Sequence, residues 1–146
     1  MTTNELFSVS TAFERCNLMF DLWVNHKDEL PAKYPQLHGH ETTDDILVQP
    51  ASCYLILGVA LLHTVLEYSV KNKKYEIPPE IRSEVDELYP LTNEFRNCVF
   101  HVQDEVLSPR QIKLMNVPDS LARLAKIRQS LEYFLIEELK KVSAPQ

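Results

Sequence analysis

The sequence predicts an all-α protein, an antiparallel four-helix-type bundle with a long loop after its first helix. Three observations carry this. Apolar residues recur at helical spacing in four separate stretches. Glycine occurs only twice in 146 residues, at Gly39 and Gly58, and the Gly and Asn turn pairs that punctuate sheets are missing. Pro50, Pro78 with Pro79, Pro109 and Pro118 each stand where a helical stretch opens, and Pro90 interrupts one. The length suits one domain over residues 1–146, with enough chain to bury a core.

The elements follow in order. Phe13, Cys16, Phe20 and Trp23 form the first apolar stripe. Two capping boxes compete for its start, Thr2 with Glu5 and Thr11 with Glu14, so the helix runs from about Asn4 or Thr11 to His26. From Lys27 to Gln49 the chain is polar and irregular, with Pro31, Pro35 and Gly39, and reads as a loop carrying at most a short helix around Asp44 to Val48. Pro50 suits the first turn of a second helix. Tyr54, Leu57, Leu61 and Val65 line one face of it, and Leu55, Leu62 and Leu66 widen that face. A stripe so wide implies burial on more than one side, at the centre of the bundle or at an oligomer interface. The helix ends near Lys71 to Lys74, where cations suit a helix C-terminus.

Pro78 and Pro79 open the next element, with Ile81, Val85 and Leu88 as its stripe. Pro90 interrupts it, and Leu91, Phe95, Cys98, Val102 and Val106 resume helical spacing. This is either two short helices or one helix kinked at Pro90. Ser108 and Pro109 begin a short segment to Met115. Pro118 begins the last helix, with Leu121, Leu124, Leu131, Leu135 and Leu139 facing inward and Lys140 and Lys141 closing it.

Composition excludes several functions. Lys and Arg total 15 against 21 Asp and Glu, a formal net charge of −6, which argues against a general nucleic-acid coat. Two isolated glycines cannot form a phosphate loop or a dinucleotide fingerprint. The first ten residues lack the basic and apolar regions of a signal peptide. The most apolar stretch, Ala51 to Leu62, is too short to span a bilayer, so no membrane is expected and the cytoplasm is the expected location. Cys16, Cys53 and Cys98 are odd in number and widely spaced, as reduced core thiols are.

Chemistry concentrates in Glu94-Phe95-Arg96-Asn97-Cys98-Val99-Phe100-His101. On a helix, Phe95 and Cys98 belong to the apolar stripe while Arg96, Asn97 and His101 do not. Asn97 and His101 share a face one turn apart, and Arg96 lies about 100° round from Asn97. A permanent cation, an amide and a titratable imidazole therefore gather near one patch. Alternatively, Arg96 and His101 pair with surface carboxylates such as Glu94, Asp104 or Glu105.

The pattern Arg96-Asn97-x3-His101 resembles the R-x4–6-H motif of the HEPN superfamily, in which a polar residue, often Asn, follows the Arg. The resemblance is sharp over Leu91 to Leu107 and compatible in size and helical content elsewhere. It implies a HEPN-like helical bundle, a homodimer whose two motifs meet across the interface, and metal-independent endoribonuclease activity in a microbial toxin or defence system. Arg96, Asn97 and His101 would be the catalytic residues, RNA the substrate, and an antitoxin or other protein a possible partner. One branch of toxins often carries Tyr two residues after the His, where this chain has Gln103.

The chemistry is coherent. RNA supplies its own nucleophile, the 2′-OH. His101 suits a general base, Arg96 a phosphate clamp, and Asn97 an orienting amide. A single imidazole cannot act on both sides of an in-line displacement, so a second subunit supplies the acid. No metal or cofactor is required. Arg110, Lys113, Arg123 and Lys126 form the densest cationic stretch and are the candidate RNA-binding residues, or else a solvated surface. His38, His40 and Glu41 resemble a metal cluster but read as loop, and His63 with Glu67 reads as a hydrogen-bonded pair rather than half a metal site. The rival reading, from another class, is a catalytically inactive helical module that binds a partner protein or nucleotide.

Overall fold

A computed structural model of the protein describes residues 1–28, 51–99 and 109–143. Among the described residues there are five α-helices, one 3-10 turn and no strand. They are α1 (Thr3–His26), α2 (Ser52–Val70), the 3-10 turn Pro79–Ile81, α3 (Arg82–Val99), α4 (Pro109–Met115) and α5 (Ser120–Ser143). The expected loop after the first helix, Pro50, the His38–His40–Glu41 cluster and His101 lie outside the described residues.

The first helix starts at the upstream capping box. Thr2 Oγ1 accepts from the Glu5 amide, and the Glu5 carboxylate accepts from the Thr2 amide. Two orphan donors are satisfied at once, so the helix gains more than two turns over a start at Thr11. Pro90 does not break α3, which continues through it from Arg82 to Val99. Near that lost backbone donor, the Thr92 hydroxyl donates to the Tyr89 carbonyl at 2.9 Å. The last helix begins at Ser120, two residues later than Pro118 suggested. Asp119 sits at φ 55, in the left-handed region, and turns the chain before the helix can start.

Three pairs of helices run antiparallel, as cross-helix contacts show. At one end of α1, Glu5 meets Lys74 just past α2, and at the other His26 packs on Tyr54 near the start of α2. Arg128 of α5 reaches Asn17 and Asp21 of α1, and Leu135 and Leu139 further along α5 line a recess with Ser10 and Phe13 nearer the start of α1. Glu80, Glu84 and Glu87 meet Ser130, Lys126 and Arg123 in reverse order, which sets α3 against α5. The result is an up-down-up-down bundle, with α4 bridging α3 and α5.

The core runs through all four long helices. Phe13, Cys16 and Phe20 of α1, Leu55, Val59, Leu62 and Leu66 of α2, Leu88 and Phe95 of α3, and Leu124, Ile127 and Leu131 of α5 belong to one buried cluster. Each such side chain contributes about 1.5–3 kcal/mol through burial. The inner face of α2 is the Leu55, Val59, Leu62, Leu66 stripe. Of the face expected from the sequence, Val65 is buried, Tyr54 and Leu61 are half-buried, and Leu57 is 38% exposed. The helix is apolar almost all round, so periodicity alone does not select its inner side.

By length and composition α2, with mean hydropathy 1.6, is long and apolar enough to cross a membrane, and half of it is buried inside the bundle. The expectation of a stretch too short to span rested on Ala51 to Leu62 and missed the apolar residues that follow. At Gly58 α1 packs close against α2, and Cys16 Sγ lies 3.4 Å from the Gly58 carbonyl. A Cβ there would stand 2.9 Å from Phe20 Cδ2.

Candidate functional site

The site is built where the C-terminal half of α3 crosses α2. Phe95 is fully buried and anchors α3 to the core. One residue on, Arg96 emerges toward α2 with its side chain 29% exposed. Its Nη1 donates to Glu67 Oε2 at 3.2 Å. The other oxygen of that carboxylate, Oε1, accepts from Lys71 Nζ at 3.0 Å. Lys71 and Arg96 together hold the Glu67 carboxyl below its ordinary range, and partial burial opposes them. Asn97 follows on the exposed side of the helix.

Beneath this ion triad lies a neutral polar chain. His63 is 1% exposed, and its Nδ1 lies 3.0 Å from Thr92 Oγ1. The single Thr92 hydroxyl hydrogen is committed to the Tyr89 carbonyl, so His63 is the donor through Nδ1–H. The imidazole also stacks on Tyr89, with centroids 4.7 Å apart and planes 19° off parallel. Burial pushes the imidazole down to about 4, helped by the charge of Arg96. It is therefore neutral at physiological pH and holds α2 to α3. Burial also raises the Tyr89 phenol, assisted by Glu67.

His63 and Glu67 do not bond each other as the sequence suggested. His63 turns to Thr92, and Glu67 turns to Lys71 and Arg96. Among the described residues no group of three or more His, Cys, Asp or Glu is placed to hold a metal ion.

Of the three candidate catalytic residues, Arg96 and Asn97 are placed side by side at the end of α3, and His101 lies outside the described residues. Among the described residues Arg96 pairs with Glu67, not with Glu94. Glu94 accepts from Lys113 at 3.2 Å, and Asp104 and Glu105 lie outside the described residues. The partner that sequence reasoning missed is Glu67. Its signal was present as a Glu-x3-Lys pair near the end of the second helix, but nothing in the sequence said which face of α3 it would meet.

The candidate RNA-binding cations lie on another side of α3. Lys113 of α4 pairs with Glu94, Arg123 of α5 grips Glu87 through two bonds of 3.0 and 2.6 Å, and Lys126 pairs with Glu84 at 2.5 Å. Arg110 is exposed at the start of α4. On a helical wheel Glu87 and Glu94 fall nearly together, with Arg96 on the opposite side. Arg96 therefore faces α2, whereas the cations of α4 and α5 border the far side of the same helix.

No family model matches the chain, and no curated protein or solved structure matches it either.

Proposed function

We propose that the protein is a metal-independent endoribonuclease of HEPN type, acting as a cytoplasmic homodimer in a microbial toxin or defence system. The observation that carries this reading is Arg96, partly exposed at the end of α3 and held there by Glu67, beside the exposed amide of Asn97 and five residues before His101 in the chain. The all-helical bundle and the Arg96-Asn97-x3-His101 pattern support it.

In this reaction His101 takes the proton of the RNA 2′-OH. The 2′-oxygen attacks the adjacent phosphorus, and the bond to the 5′-oxygen breaks. The products are a 2′,3′-cyclic phosphate and a free 5′-OH, whose proton comes from the second subunit. Arg96 has five N–H donors and gives one to Glu67, so donors remain for two phosphate oxygens as negative charge grows. Asn97 orients the imidazole or the phosphate.

The second reading is a helical interaction module without catalysis. It is favoured by the pairing of Lys113, Arg123 and Lys126 with carboxylates of α3, which leaves no open cationic groove around these three.

Incubation of a mixed RNA pool with wild type, Arg96→Ala and His101→Ala in EDTA separates the two. Cleavage by wild type alone, leaving cyclic phosphate ends, is the expected result. Equal degradation by wild type and His101→Ala would remove the catalytic assignment, and an inert wild type that still binds RNA or protein would favour the interaction module.

A further inference from the structure

The outer groove between α1 and α5 lies over the core and carries polar groups that the Arg96 site does not use. A recess of about 210 Å³ opens there. Its floor is apolar, formed by Phe13, Leu135 and Leu139, and Glu14 and Glu132 stand at it from opposite helices. Neither carboxylate forms an ion pair with a cation among the described residues. Arg128, the nearest basic residue along α5, is committed elsewhere. It donates to Asn17 at 3.0 Å, meets Asp21 at 3.7 Å and lies over the Phe20 ring.

Ser10 adds an independent observation. It lines the recess, is only 8% exposed, and its hydroxyl has no hydrogen-bond partner. A buried polar group without a partner costs about 1–3 kcal/mol, so the α1 side of the recess is held at some cost in stability. Beyond the recess the same face is apolar. Phe7 and Leu18 are each 54% exposed and Ile136 is 45% exposed. Phe7, Glu14 and Leu18 share one face of α1, because about eleven residues close three turns.

We propose that this groove docks a Lys- or Arg-bearing amphipathic helix from a partner protein. Two long antiparallel helices leave a furrow that accepts a third helix along its length. The partner's apolar side chains cover Phe7, Leu18 and Ile136. A basic side chain lays its aliphatic stem along the recess beside Leu139, with its charged head between Glu14 and Glu132. The carboxylates repel phosphate, which excludes RNA and anionic lipid as occupants. Arg96 pairs on the α2 side of the bundle, so the partner and the Arg96 site are separate surfaces. The proposal does not rest on the nuclease reading.

The test measures fluorescence anisotropy of two labelled synthetic helices on the full chain. One carries leucines on one face with lysines beside them, and its counterpart has glutamates in place of the lysines. The lysine helix is expected to bind, and the glutamate helix is not. Glu14→Lys/Glu132→Lys is expected to weaken the lysine helix by about tenfold or more. Glu76→Lys/Asp86→Lys makes the same change in net charge on two exposed residues outside the groove, one between α2 and α3 and one on α3, and is expected to stay within about twofold of wild type. Equal weakening by both double variants would reduce the effect to net charge and overturn the proposal, as would binding that neither variant weakens. Sedimentation covers the remaining occupant. A wild-type dimer that Phe7→Glu/Ile136→Glu disperses would assign the groove to a second copy of this chain and overturn the proposal as well.

Discussion

Arg96 and Glu67 join the end of α3 to the last turns of α2 through a 3.2 Å contact, and Lys71 holds the other oxygen of the same carboxylate. An Arg side chain has several rotatable bonds and would otherwise sample many positions. Glu67 selects one of them while leaving most of the guanidinium donors unused. Glu67→Gln keeps the shape and removes the charge. It is expected to leave the fold intact and to lower RNA cleavage by about tenfold, the effect of one orienting interaction worth about 1.4 kcal/mol. Faster cleavage by Glu67→Gln would show instead that Glu67 competes with the phosphate for Arg96.

The His63 to Thr92 bond makes a separate prediction about stability. Thr92 is fully buried, and its hydroxyl both accepts from His63 and donates to Tyr89. Thr92→Val preserves volume and strands the His63 Nδ1–H. The expected cost is about 1–3 kcal/mol, read as a lower urea midpoint with an unchanged slope. Ser69→Ala makes a comparison at the same end of α2, because its hydroxyl donates to the Tyr75 carbonyl from a buried position.

Acid should lower stability through two pH windows. His63 has its folded-state value depressed from 6.5 to about 4, chiefly by burial. Between those values the unfolded chain takes up a proton that the folded one refuses, so stability falls as pH drops through this window. His63→Gln is expected to flatten that segment of a plot of Tm against pH. Glu84, bonded to Lys126, and Glu5, bonded to Lys74, are each lowered from 4.5 to about 2. Their contribution is present above 4.5 and is lost as pH falls toward 2. A Tm curve for His63→Gln that still declines between 6.5 and 4.5 would assign the first window to other groups.

The helices were legible because their signals are local. Thr2 with Glu5, the Phe13, Cys16, Phe20 stripe and the paired prolines at 78 and 79 each act within a turn or two of chain. Which way α2 faces was not legible. Leu55 and Leu57 are equally apolar, yet Leu55 is fully buried in the core and Leu57 is 38% exposed, a choice made by the packing of the whole bundle. The site was half legible for the same reason. Arg96 and Asn97 stand out by composition, but the Glu67 partner comes from a different helix, and a crossing geometry is not a property of either segment alone. The same limit applied to Arg123 and Lys126, whose carboxylate partners on α3 lie far away in sequence.

Gly58 tests the closeness of α1 and α2. Alanine in a helix gains about 0.8–1 kcal/mol over glycine in propensity. Here the added methyl would stand 2.9 Å from the Phe20 ring, which is buried and lies beneath the Arg128 guanidinium. The ring cannot withdraw cheaply, and overpacking of this kind costs about 1–3 kcal/mol. Gly58→Ala is therefore expected to lower stability on balance. In a Phe20→Leu background, where the ring is gone, the same substitution should become neutral or stabilising. An equal loss in both backgrounds would place the obstruction elsewhere.

The cations of α5 give the sharpest division between scaffold and site. Arg123 and Lys126 are engaged with Glu87 and Glu84, and they border the side of α3 away from Arg96. Removing them takes away two positive charges but also two interhelix contacts. If they are scaffold, Arg123→Ala/Lys126→Ala lowers the urea midpoint and leaves RNA cleavage within about twofold of wild type at a temperature where both are folded. If RNA displaces the carboxylates to reach them, binding weakens and the slope of log affinity against log salt falls by about two. The same logic predicts opposite results for Glu84→Gln/Glu87→Gln. A scaffold role makes that variant less stable with unchanged RNA affinity. An RNA-contact role makes it bind more tightly, because two competing carboxylates are gone. The geometry favours the scaffold outcome, since each cation already has a charged partner at hydrogen-bonding distance and none of them shares a face with Arg96.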